Sequence, residues 1–264
     1  MTKQEILLKT QAFLFDLDGT LYLGEKLIGN AAQTLQTLRE MDKKVVFLTN
    51  NSSKTEAEYR EKLTKLGLYQ ENDIIYTSAK ATAFYLNKHF PKKKVYLVAT
   101  EAVSEEFRNA GIILSDEEPE VAVLSYDVEL TFEKIRKLDY FLKHGVVFLA
   151  THADDVCPAE DSSIPDVGSF LAMFERSSGR KPDRIIGKPN SDMAKGVAAE
   201  TGFKESELCM VGDRMYTDIR FAGNNGMKSI LVLSGETNLL NMNKYRDVPD
   251  LILPSVNELV KKTV

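Results

Sequence analysis

The chain has 264 residues, 43% of them hydrophobic, with 34 Lys and Arg against 39 Asp and Glu for a formal net charge of −5. That length allows one large domain or two ordinary ones with substantial cores, and the negative balance argues against nucleic acid or an anionic membrane surface as a partner. No apolar run approaches the roughly 20 residues of a membrane span, the N-terminal Met1-Thr2-Lys3-Gln4-Glu5 has no signal-peptide pattern, and a cytosolic protein is expected. Its two cysteines, Cys157 and Cys209, fit reduced thiols, Cys209 as a buried one.

The first predicted strand, Ala12–Asp18, is an apolar run that ends in Asp16-Leu17-Asp18-Gly19-Thr20. Residues two apart in a strand share a face, and the carboxyl end of a buried parallel strand is where open α/β sheets place ligands. Two carboxylates crowded there call for a cation, a shared proton or a reaction. A helix pattern over Ala31–Met41 leads to a second strand, Val45–Asn50, and to Thr49-Asn50-Asn51-Ser52-Ser53. Thr49, Asn50 and Asn51 offer a hydroxyl, amides and backbone N–H groups to an anion, while Ser52 or Ser53 caps the next helix pattern, Lys54–Leu66.

Further strands are predicted at Ile74–Thr77, Val95–Thr100, Val121–Tyr126 and Val146–Thr151, with a helix over Thr131–Lys143. Such alternation predicts βαβ units and mainly parallel sheets. Nine strands in all exceed the usual sheet of roughly 5–6, so two sheets and two domains are expected. Ala81–Gly179 has three strands and helices of its own and reads as an inserted domain, with 1–80 and 180–264 forming the other. His89 and His144 fall near helix ends, where they would cap. Pro165–Phe170 reads as a loop and helix start returning to the first domain.

In Gly187-Lys188-Pro189-Asn190, Lys188 is kept out of a helix interior by the following proline. Strand Leu208–Asp213 again ends in an acid, and Asp218 follows five residues later, close enough in a turn to converge with Asp213. Strands Ser229–Leu233 and Leu251–Leu253 complete the pattern. Three strand ends rich in Asp, Thr and Asn, joined by one Lys, suit phosphoryl transfer. Hard oxygen ligands favour Mg²⁺. Lys188 and the Thr49–Asn51 donors would neutralise phosphate oxygens. One carboxylate would attack phosphorus to form an aspartyl phosphate, and a second would protonate the leaving oxygen and later activate water.

The four motifs Phe15-Asp16-Leu17-Asp18-Gly19-Thr20, Leu48-Thr49-Asn50-Asn51, Gly187-Lys188-Pro189 and Gly212-Asp213 with Asp218 resemble those of the haloacid dehalogenase superfamily. Their order and spacing resemble its NagD-like phosphatase branch, which carries a large α/β cap between the second and third motifs. The resemblance implies a doubly wound parallel-sheet, Rossmann-like core with an inserted α/β cap domain. It implies Asp16 as nucleophile, Asp18 as general acid/base, Thr49 and Lys188 as phosphate anchors and Asp218 as an orienting residue. Mg²⁺ would be held by the Asp16 carboxylate, the Asp18 backbone carbonyl and Asp213. Substrate choice would lie in the cap, where His152-Ala153-Asp154 stands in place of the Asn-Pro-Asp of relatives, and His152 and Asp155 are candidate contacts to the leaving group.

The expected activity is therefore Mg²⁺-dependent hydrolysis of a small phosphomonoester such as a sugar phosphate or nucleotide monophosphate, with a homo-oligomer left open. A calcium loop fails, because position six from Asp16 is Leu21 and position twelve is Leu27. A receiver module is far shorter, and a dehalogenase has no need of Asp18, since halide leaves unprotonated. The non-enzyme alternative is a phosphometabolite-binding sensor on the same fold, which intact Asp16 and Asp18 disfavour.

Overall fold

The computed structural model describes residues 1–158 and 162–261. It divides into two units, one of Met1–Thr49, Ala57–Tyr76 and the chain from Lys188 onward, the other of Asn50–Glu56 and Thr77–Gly187.

The first unit is built on a six-stranded sheet, in the order Leu251–Leu253, Lys228–Val232, Leu208–Gly212, Ala12–Phe15, Lys44–Thr49, Ile74–Thr77. Pairing is parallel from Leu251–Leu253 across to Lys44–Thr49, with Phe15 opposite Val211 on one side and Phe47 on the other. One face carries Phe13, Phe15, Phe47, Val211 and Ile230, packed against Leu35, Leu38 and Leu63 of the helices Ala31–Glu40 and Glu56–Lys65. The alternate residues Leu14, Val46, Leu48, Met210 and Leu231 are equally buried. Burial on both faces is why these strands read as continuous apolar runs. From the Ala12–Phe15 strand the chain goes first to one side of the sheet and later to the other, so the order reverses beside it. Open α/β sheets hold ligands at such a switch point.

The second unit has its own parallel sheet, ordered Arg184–Ile185, Val147–Ala150, Val121–Leu124, Lys94–Val98, Ile113–Leu114. It holds five strands rather than the three read from sequence, because the two outer ones have only two residues each and carry no readable periodicity. Ala79, Leu86, Val103 and Phe107 cover one face, and Leu138, Phe141, Val167 and Phe174 cover the other. The helix Val167–Ser178 therefore belongs to this unit and does not return to the first domain as expected, since its buried residues pack against Tyr96, Leu124 and Phe148. Asp166 caps it, and Gly179 ends it in the left-handed conformation at φ 74°. Among the described residues no helix is long and apolar enough to cross a membrane.

Candidate active site

Asp16, Thr49 and Asp213 leave the carboxyl ends of three adjacent strands of the first unit. Asp16 extends the Ala12–Phe15 strand by one residue, its N–H donating to Val211 O at 2.9 Å. The chain then turns sharply, with Leu21 N–H donating to Leu17 O at 2.9 Å, and Gly19 adopts φ 85°. A side chain at Gly19 would put its Cβ 2.6 Å from Asp213 Oδ2, so glycine serves both the backbone conformation and the approach of Asp213. Asp16 is half-buried and Asp18 exposed.

Lys188 is 3% exposed. Its Nζ donates to Asp16 Oδ1 at 2.6 Å and to Asp218 Oδ1 at 2.7 Å. The second oxygen of Asp218 accepts from Arg214 N–H at 3.1 Å, and the π-helical turn Met215–Ile219 carries Asp218 back to this point. Asp218 is thus fully buried and held on both oxygens, which suits orienting Lys188. Asp213 Oδ2 accepts from Glu236 N–H at 2.7 Å, and Thr20 Oγ1 stands 3.5 Å from its Oδ1.

Ligand-capable oxygens of Asp16, Asp213 and Asp218 all lie within 4.8 Å of one another. Three carboxylates against one ammonium leave two negative charges in a buried place. Burial opposes the charge of Lys188, but Asp16 and Asp218 outweigh it and hold the ammonium above its ordinary value. Burial, then the charges of Asp16 and Asp218, push Asp213 up. Burial also pushes Asp218 up, even though Lys188 pulls it down. The same ion pair thus raises its lysine and fails to lower its acid, because one ammonium serves two carboxylates while a third stands beside them. Surplus negative charge on hard oxygen donors is what a divalent cation neutralises, and the residues present fit Mg²⁺.

Sequence reading missed the supports of Asp213. Ser234 Oγ donates to Gly19 O at 2.8 Å, and a Cβ on Gly235 would run into the Asp213 carboxylate. The signal was there, in the polar turn Ser234-Gly235-Glu236-Thr237 directly after a parallel strand.

The remaining predicted residues fall in the second unit. Asn50 Nδ2 donates to Asp154 Oδ2 at 3.0 Å, and the Asn50 carbonyl accepts from Ser78 Oγ. Asn51 Oδ1 accepts from Ser53 N–H at 2.9 Å. Both side chains are therefore engaged within their own unit, a placement that Thr-Asn-Asn in sequence does not disclose. His152 is fully buried. Its Nε2 meets Asp166 Oδ1 at 2.9 Å and its Nδ1 meets Thr151 Oγ1 at 3.1 Å. With both nitrogens engaged and no exposed surface, His152 does not present itself to a leaving group as expected. Asp155 is exposed.

Comparison with known proteins agrees with this geometry. A family profile described as haloacid dehalogenase-like hydrolase matches residues 13–113, and one described as HAD-hydrolase-like matches 185–259. The chain is 32% identical to the sugar-phosphatase AraL of Bacillus subtilis, over 94% of this chain and 91% of that protein. It superposes on the crystal structure of a 4-nitrophenylphosphatase from Thermotoga maritima with a TM-score of 0.92 and 37% identity, covering 96% and 97% of the two chains. A glycerol phosphate phosphatase from Mycobacterium tuberculosis, solved in complex with magnesium, gives a TM-score of 0.89 at 27% identity, covering 96% of this chain and 78% of that one.

Proposed function

Because the chain belongs to the haloacid dehalogenase-like hydrolases, in their NagD-like branch, and is a phosphomonoester phosphatase, we propose that it hydrolyses small phosphate esters with Mg²⁺ through an acyl phosphate on Asp16. The observation that carries this reading is the convergence of Asp16, Asp213 and Asp218 on one point with Lys188 at 2.6 Å from Asp16. Asp16 and Asp213, with the Asp18 backbone carbonyl, would hold Mg²⁺. When bound, the ion would neutralise phosphate and carboxylate charge that otherwise repel.

Lys188 fixes the Asp16 carboxylate and contributes a second positive charge for the phosphate oxygens. The Thr49 hydroxyl and the backbone of Asn50 and Asn51 are the proposed neutral donors. An Asp16 oxygen attacks phosphorus, the ester P–O bond breaks, and Asp18 gives its proton to the departing oxygen. Asp18, now ionised, takes a proton from water as that water attacks phosphorus, and the bond from phosphorus to Asp16 breaks to release orthophosphate. Asp18 is exposed, as a group that must reach both the leaving oxygen and water should be. Asp218 takes no part in bond making and acts through Lys188.

The substrate class proposed is a sugar phosphate or similar monoester, in keeping with the likeness to AraL, and Asp155 is the proposed reader of the leaving group. The deciding experiment is a rapid acid quench with ³²P-labelled substrate and Mg²⁺, followed by peptide mapping. Label on the Asp16 peptide, absent in Asp16→Asn, is expected. Phosphate release without any labelled protein, or substantial Mg²⁺-dependent activity in Asp16→Asn, would overturn the covalent route.

A further inference from the structure

A second group of metal-ligating side chains lies in the second unit. His152, Asp154 and Asp166 offer one ligand atom each, all within 4.8 Å of one another. His152 comes just after the strand Val147–Ala150, and Asp166 caps the helix Val167–Ser178. His152 is fully buried and Asp166 is 3% exposed, while half-buried Asp154 gives the group a side open to solvent.

Each of the three has polar neighbours outside the group, His152 Nδ1 facing Ser78 Oγ at 3.5 Å as well as Thr151. Thr151 Oγ1 is 3.1 Å from His152 Nδ1, Asn50 Nδ2 donates to Asp154 Oδ2 at 3.0 Å, and Val167 N–H donates to Asp166 Oδ1 at 2.6 Å. Metal-binding imidazoles and carboxylates are oriented by such outer bonds on their non-ligating atoms. In Asp166 the oxygen that Val167 holds, Oδ1, is also the one that faces His152 Nε2.

We propose that His152, Asp154 and Asp166 form a second divalent-cation site, distinct from the Asp16–Asp213 centre and suited to a first-row transition ion such as Mn²⁺ or Zn²⁺. One imidazole with two carboxylates is a donor set for such ions, whereas the all-oxygen set around Asp16 suits Mg²⁺. His152 Nε2 and Asp166 Oδ1 stand 2.9 Å apart. An ion bound at Nε2 would leave the ring proton on Nδ1, where Thr151 Oγ1 can accept it at 3.1 Å. The Thr151 hydroxyl can direct its own hydrogen to Ser52 Oγ, 2.9 Å away. The ion would pin the segment after Val147–Ala150 to the start of Val167–Ser178 and stabilise the unit in proportion to its occupancy.

The test counts ions on the whole chain with the catalytic centre disabled. Asp213→Asn is titrated with Mn²⁺ in millimolar Mg²⁺, with bound Mn²⁺ read by electron paramagnetic resonance and unit stability by thermal denaturation. One equivalent of Mn²⁺ and a concentration-dependent rise in melting temperature are expected. Adding Asp154→Asn, a half-buried change that spares the His152–Asp166 pair, should weaken that equivalent at least about tenfold and abolish the rise. A Co²⁺ titration should give a visible ligand-field band in Asp213→Asn that is lost with Asp154→Asn. No Mn²⁺ uptake in Asp213→Asn, or uptake unchanged by Asp154→Asn, would overturn the proposal and leave a plain hydrogen-bonded histidine.

Discussion

Replacing Lys188 by Met keeps the length of the side chain and removes its charge. In the folded protein the Nζ lies 2.6 Å from one carboxylate oxygen and 2.7 Å from another, and the Asp218 side chain is fully buried. At an effective dielectric of about 20, each contact represents about 6 kcal/mol of attraction, and two carboxylates within 4.8 Å of one another repel by at least about 3.5 kcal/mol. Desolvation of the lysine cancels much of the first figure, and removing one member of a buried pair costs about 3–5 kcal/mol net. Metal-free Lys188→Met should therefore lose about 3–5 kcal/mol at pH 8 in urea unfolding followed by circular dichroism. Asp213 and Asp218 are already pushed up by burial, so both take up protons readily at pH 5, and the loss should shrink there to below about 1 kcal/mol. Adding Asp218→Asn removes the stranded charge and should recover about half the loss at pH 8, as a coupling between the two sites. Turnover should fall at least about 10²-fold, as for loss of a charged stabiliser of the transition state. A variant as stable as the parent at pH 8, or a loss equal at both pH values, would refute the view that Lys188 neutralises this cluster.

Asp18→Asn should lose more rate on a sugar phosphate than on p-nitrophenyl phosphate, whose phenolate leaves without help; equal losses with chemistry limiting would remove the acid role. Gly235→Ala drives a methyl into the Asp213 carboxylate and its bond to Glu236 N–H, so the Mg²⁺ concentration for half-maximal rate should rise about 10–100-fold, read from metal titrations of initial rate. Asp213 is pushed up to about 7 by burial and its acidic neighbours. The folded state then binds a proton that the unfolded state, with a carboxyl near about 4, has released. This contribution to stability is full below about 4 and is lost as pH rises to about 7. The melting temperature of the metal-free protein should therefore fall relative to Asp213→Asn across that window, and saturating Mg²⁺ should remove the difference; a difference that grows in the other direction would contradict the raised value.

The core of the first unit was legible because its strands are buried on both faces, and burial forces an unbroken run of apolar residues whose end is marked by the first polar group. Asp16, Thr49 and Asp213 stand at those ends, so residue type and position along the strand identified them without coordinates. All nine predicted strands are present. The N-terminal helix Lys3–Lys9, with its Thr2–Glu5 capping box, and the two-residue outer strands escaped notice because each is too short to show a period.

Tertiary structure alone decided what each polar residue meets. Lys188 lies 172 residues from Asp16 in sequence, and only the folded chain brings the two into contact. Asp218 reads as an orienting residue only through the family resemblance, and the fold engages both of its oxygens, one with Lys188 and one with Arg214 N–H. His152 reads as a candidate contact to the leaving group, yet it is buried against Asp166, fourteen positions on. Local sequence encodes periodicity and chain direction, whereas burial and partner choice are set by segments distant in sequence that share no pattern with the residue they cover.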